Sequence, residues 1–218
     1  MKIDDIPYFA SVRERGKWDY QLAIRAEKLS SQNPSDKIEF ARRVALLASH
    51  SKPEIVSQQI VSFISEVEVF NKLTDEGKEV HWVSESNKQG VKTPDIAYIQ
   101  NGVHVPVEVK TLDIEMHEAK DLRSFNPVVH ESSPDWDYFE GCKNKLDYYF
   151  TDASEKFNQF NNGDLFGELY VIFLPSVHVR LRDGEDGKPI MQVRIDEYAR
   201  QNLDKRVQFT SINSLDKW

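Results

Sequence analysis

A single cysteine, Cys142, stands in a chain of 218 residues. One thiol cannot close an internal disulfide, and a zinc site built from several cysteines is excluded. Long apolar runs are also missing. The longest, Leu169 to Pro175, has the length of a buried strand. It falls far short of the roughly 20 residues that cross a bilayer, so no membrane partner is expected. The start, MKIDDIPYFA, has neither a basic n-region nor an apolar h-region. The expectation is therefore an intracellular, cytoplasmic protein. Neither GxxxxGK(S/T) nor GxGxxG occurs, which removes nucleotide motors and dinucleotide sites. The six histidines show no metal-ligand spacing such as HExxH. Positive charge is in deficit: 28 Lys and Arg face 36 Asp and Glu, a net charge of −8. Such a chain is a poor nonspecific glue for nucleic acid. The deficit is uneven, with +3 over residues 1–53 and −11 over the rest. Clustered carboxylates are what a site for a hard divalent cation needs, so the acidic body leaves metal chemistry open.

What is present reads as a folded chain. Hydrophobic residues make up 39%, with 12 Phe, 8 Tyr and 4 Trp, too apolar and aromatic for disorder. At about 150 residues per domain, the length fits one domain, or one with an appendage. Spacing predicts helices over 17–30 and 36–49, separated by SSQNPSD, with Ser35 or Asp36 capping the second. A third helix is predicted over 54–74, with Pro53 in its first turn. There Val56, Ile60, Phe63, Val67 and Phe70 step by three and four, and Gly77 ends the run. A strand over 79–84 and a polar loop over 85–93 follow. Ile96 to Gln100, the turn Asn101-Gly102 and Val103 to Leu112 read as a hairpin. A polar insertion spans 113–135, a long helix 137–161 and a strand 168–175. Beyond them a strand over 177–182, the turn DGEDGKP, a strand over 189–195, a short helix over 196–204 and a last strand over 206–212 are expected. This order predicts a mixed α/β sheet covered by helices. Residues 1–52 form a helical N-terminal segment in this reading, and 53–218 the main domain.

The hairpin carries the chemistry. A two-residue turn at 101–102 sets Asp95 directly opposite Glu108 in a non-hydrogen-bonded pair, with Cβ atoms about 4.5–5.5 Å apart. Pro106 falls opposite Ala97. Val103, Val105, Val107 and Val109 share one face, while His104, Pro106, Glu108 and Lys110 share the other. Two carboxylates and an ammonium thus converge at one end. Like charges directly opposite destabilise a sheet, and a bound divalent cation removes the conflict. Carboxylate oxygens with retained waters suit Mg²⁺ or Mn²⁺. Lys110 can then orient, or help deprotonate, the attacking water. A glycoside hydrolase, the other chemistry of paired acids, fits poorly: its carboxylates flank a sugar-sized cleft about 5–9.5 Å wide.

Pro94-Asp95, followed after twelve residues by Glu108-Val109-Lys110, resembles the signature of the PD-(D/E)XK phosphodiesterase superfamily. That group includes restriction endonucleases, Holliday-junction resolvases and DNA-repair nucleases. The resemblance spans roughly residues 54–175. It implies a three-layer α/β/α, restriction-endonuclease-like fold with an αβββαβ core. It also implies divalent-metal-dependent hydrolysis of a phosphodiester, with DNA as the expected substrate of an endonuclease and RNA as the open alternative. A homodimer is one arrangement by which such enzymes cut both strands. By the same resemblance Asp95, Glu108 and the carbonyl of Val109 bind the cation, and Lys110 positions the attacking water. An acid from the first core helix assists, with Glu66 and Glu68 as candidates. Glu66 is preferred, three residues after Phe63 and four before Phe70 on the flank of the apolar stripe; Glu68 points toward solvent.

Family members also place a Lys or Gln on the helix after the third strand, facing the site. Gln159 is the preferred match, with Lys156 also a candidate. In the N-terminal segment, Arg42 and Arg43 head a group of cations that could contact phosphates. The alternative to catalysis is a noncatalytic nucleic-acid-binding or protein-interaction module on the same scaffold.

Overall fold

The computed structural model describes residues 2–13, 18–49, 53–86, 88–113, 134–174 and 190–213, which form six α-helices and five strands. A 3-10 turn, Ile3–Asp5, leads into α1 (Pro7–Arg13), α2 (Trp18–Ser30), α3 (Pro34–Ser49) and α4 (Pro53–Asp75). Then come β1 (Glu79–Trp82), β2 (Ile96–Gln100), β3 (Val103–Asp113), α5 (Pro134–Phe160), β4 (Gly167–Leu174), α6 (Ile190–Asn202) and β5 (Val207–Asn213). The strands lie side by side in chain order. β1 to β3 are an antiparallel meander, and β4 and β5 continue the sheet in parallel. The class is mixed α/β, as the element order predicts.

Local chemistry explains most boundaries. Pro34 takes the first turn of α3, and Asn33 caps it, its Oδ1 accepting from the Ser35 amide at 2.9 Å. The cap is thus Asn33, in place of the expected Ser35 or Asp36. Asp36 instead reaches across to β1. Its Oδ1 accepts from the Trp82 amide at 2.9 Å, and its Oδ2 lies 3.0 Å from His81 Nδ1. This occupies part of an otherwise open sheet edge. α4 ends in a Schellman turn: Gly77, at φ 77°, donates to the Thr74 carbonyl and Lys78 to that of Leu73. Asn101 and Gly102 both have positive φ, as a type I′ hairpin turn requires.

Alternation along the strands divides the core in two. Val107, Val109, Tyr170 and Ile172 face α4 and the N-terminal helices, joining Phe63, Phe70, Phe40, Phe9 and Trp82. Leu112, Leu169 and Val171 face the other way, against Phe150 and Phe157 of α5 and Ile195 of α6. The N-terminal helices therefore share one core with α4 and the sheet.

One expected element is wrong. The predicted strand over 189–195 and short helix over 196–204 are a single helix, α6, from Ile190. Ile190, Val193 and Ile195 are of the β-branched type that favours strands. Packing decides otherwise, because the buried positions Gln192, Ile195 and Ala199 recur at helical spacing. Residues 114–133 of the insertion expected over 113–135, the strand over 177–182 and the turn DGEDGKP lie outside the described residues.

Gly167 opens β4 directly beneath α5. A Cβ there would come within 2.7 Å of the Phe157 ring, which is fully buried. Gly167→Ala should cost about 1–3 kcal/mol through forced displacement of that ring. The check is a lowered urea midpoint with an unchanged m-value.

Candidate active site

The β2–β3 ladder runs from Gln100↔Val103 to Ile96↔Val107, the register of a two-residue turn. Asp95 sits one residue beyond the last pair. Its carbonyl accepts from the Val83 amide at 3.2 Å, and its Oδ2 accepts from the Val109 amide at 2.8 Å. The Asp95 side chain thus continues the ladder where the β2 backbone stops. An extended residue sends its N–H and C=O toward the same neighbour, so the Val109 carbonyl also points to the Asp95 edge.

Glu108 faces α5 and is fully buried. Its Oε1 lies 2.7 Å from Lys110 Nζ and accepts from Lys156 Nζ at 2.5 Å. Its Oε2 is buried with no hydrogen-bond partner. Lys110 Nζ also donates to Asp152 Oδ2 at 2.8 Å. Asp152 and Lys156 are one turn apart on α5, 3.6 Å from each other. Lys92, in the loop before Asp95, donates to Asp152 Oδ1 at 2.9 Å and to Glu155 at 2.7 Å. Gln159 does not reach the carboxylates. It accepts from the Lys92 amide at 2.7 Å and ties that loop to α5. Of the two α5 candidates, Lys156 is the one that touches Glu108.

From the other side α4 contributes Glu66, paired with Arg43 of α3. Arg43 Nη2 donates to the carbonyls of Asp95 at 2.9 Å and Val83 at 3.1 Å, and the guanidinium lies 5.0 Å from the centre of the Trp82 ring. Its side chain is only 12% exposed. Arg43 therefore does not offer itself to phosphates. Arg42 is half exposed and bonds Glu39 and Glu85. Glu68 corrects another expectation: it is 4% exposed and does not point to solvent. It lies one turn before Asn71, which donates to the Leu22 carbonyl, on the side of α4 that α2 covers.

The electrostatics follow from burial. Burial pushes the Glu108 carboxyl up to about 7; Asp95 adds to this, and Lys110 and Lys156 pull against it. Burial also raises Glu66, opposed by Arg43 and assisted by Asp95 and Glu108. For Asp152, burial works against ionisation but is outweighed by the hydrogen bonds from Lys110 and Lys92, and the carboxyl is held down at about 2. Burial alone would favour loss of the Lys110 proton. Glu108 and Asp152 overcome it and raise Lys110 above its ordinary value.

Among the described residues no three His, Cys, Asp or Glu side chains form a ready-made metal cage. The donors of a kind that suits a hard cation are the buried, unpartnered Glu108 Oε2, the Asp95 carboxylate and the Val109 carbonyl, and water would complete the shell. Asp152 and Lys92 are the site residues that sequence reasoning missed. The only signal was the i, i+4 spacing of Asp152 and Lys156 on a predicted helix. Comparison of the chain with protein-family models, curated proteins and solved structures finds no match.

Glu108 makes stability fall with rising pH. Free glutamate titrates near 4.5, but in the folded chain Glu108 holds its proton to about 7. Its contribution is complete below about 4.5 and lost as pH rises through 7. Asp152 acts in the opposite direction, but only below 3.8. Melting temperature in EDTA should therefore drop from pH 5 to pH 8, with a shallower slope in Glu108→Gln. Equal slopes for the two proteins would contradict this.

Proposed function

We propose that the protein is a divalent-metal-dependent phosphodiesterase of the PD-(D/E)XK type, acting as a DNA endonuclease. The observation that carries this reading is the buried, unpartnered Glu108 Oε2, with Lys110 on the other oxygen of that carboxylate and Asp95 bound to the amide of the next residue, Val109. A buried polar atom without a partner is costly, and a cation in that position relieves it. The antiparallel β1–β3 meander, preceded by α4 and followed by α5 and a parallel β4, supports the restriction-endonuclease-like core.

Asp95, Glu108 and the Val109 carbonyl would hold Mg²⁺ or Mn²⁺, which would supply Lewis-acid stabilisation of the charge developing at phosphorus. Lys110 keeps its proton between Glu108 and Asp152. It therefore acts as a cationic hydrogen-bond donor to the phosphoryl oxygens or the attacking water. Lys156 is a second donor on the same side. Water attacks phosphorus and loses a proton to solvent, one P–O ester bond breaks, and the departing alkoxide takes up a proton from water and leaves as the alcohol.

The noncatalytic alternative draws on the pairing of every site cation with a carboxylate, which leaves little net attraction for bare DNA. Cleavage of supercoiled plasmid with Mg²⁺, Mn²⁺ or EDTA separates the two. Cutting should require metal and fall about 100-fold or more in Asp95→Ala and in Lys110→Ala. Cutting that survives both substitutions would overturn the assignment. Mn²⁺ binding measured by calorimetry should weaken about tenfold per pH unit below 7, because the cation must displace the Glu108 proton. A pH-independent affinity would remove Glu108 from the ligand set.

A further inference from the structure

Resting on the metal reading above, we propose that the Arg43 guanidinium takes the place of a second cation, so that the site binds one divalent ion and Glu66 is not among its ligands. Three carboxylates, Glu66, Asp95 and Glu108, act on one another at this end of the sheet. Among the described residues they do not form a three-acid metal cage, and a second ion would need Glu66 as a ligand. Glu66 is paired with Arg43, whereas Glu108, met by Lys110 and Lys156 at Oε1, keeps Oε2 without a partner.

Arg43 is fixed from several directions. Glu66 holds Nη1, the Asp95 and Val83 carbonyls hold Nη2, the Trp82 ring lies against the guanidinium, and Glu39 Oε1 lies 3.3 Å from Nε as an ion pair without a hydrogen bond. A guanidinium does not give up its charge in a protein. If Glu66 turned away to ligate an ion, it would strand a buried cation without its closest anion, which is strongly unfavourable. Asp95 is held by the same group through its backbone carbonyl, so its carboxylate stays aimed at Val109 and the Glu108 side. Arg43 is thus a positioning residue: it neutralises the helix acid and fixes the backbone of a metal ligand. The Asp95 and Glu108 carboxylates remain for one divalent cation.

The test is Mn²⁺ titration calorimetry of the full chain at pH 8, with far-UV circular dichroism as the check on folding. One Mn²⁺ per wild-type chain is expected. In Glu66→Gln, which keeps a hydrogen-bond acceptor for Arg43, affinity should stay within about twofold. In Arg43→Gln, which frees the Glu66 carboxylate, a second equivalent should appear. Two equivalents in the wild type, or a loss of about tenfold or more in Glu66→Gln, overturns the proposal and leaves the metal reading standing. A folded Arg43→Gln that still binds one ion overturns it as well. No Mn²⁺ heat in the wild type sinks the metal reading and this proposal together. If Arg43→Gln does not fold, the wild-type stoichiometry and Glu66→Gln decide.

Discussion

A carboxylate with no exposure must be met by cations or surrender its charge, and Glu108 sets that condition for one face of the sheet. One answering cation, Lys110, comes from its own strand. The other, Lys156, comes from α5, and so does Asp152, which keeps the two lysines from repelling each other. The charges can meet only if α5 lies at the right height on β3 and β4. That height is set by Phe157, which packs over the bare backbone of Gly167, and by Lys92 and Gln159, which bind the preceding loop to the helix. Packing and electrostatics thus specify the same position of α5.

On the other face the N-terminal helices supply a cation of their own. The first 53 residues carry a positive balance. In the fold much of it is turned inward or spent on neighbouring acids: Arg43 on Glu66, Arg42 on Glu39, Arg25 on Asp75. A charge excess that reads as a surface for phosphate in the sequence is, for these residues, a set of internal ties. Trp82 joins the same system. It stacks on Phe70 at 4.6 Å, lies beside Arg43, and donates through its indole to Ser30.

The parts of the site legible in the sequence are those fixed by local rules. Asn101-Gly102 admits only a tight turn, which sets the register and brings Asp95 beside Val109 and Glu108. The apolar stripe of α4 has a flank, and Glu66 is on it. Interactions across distant segments were not legible. Nothing local to Asp152 points to Lys110 or Lys92, because the contact exists only once α5 is docked. Glu68 was misplaced because α4 was treated as a helix with one buried face. α2 covers a second face, and an amphipathic stripe does not reveal it. The strand expected at 189–195 failed for a related reason: β-branched residues favour strands in isolation, but here they serve a helix packed on β5.

The parallel join between β3 and β4 has a consequence for how the chain closes. The β2–β3 hairpin brings together neighbours in sequence, whereas Glu108 meets Leu169 only across a long intervening stretch that includes α5. Loop-closure entropy makes the hairpin the cheap step and the β3–β4 pairing the expensive one. Before α5 docks, Glu108, Lys110 and Asp152 are bathed in water. They lose that hydration at the long-range step, when the chain has already spent its local gains. These charged residues therefore resist the closing of the fold, and the apolar contacts around Phe157, Leu169 and Val171 must carry it through.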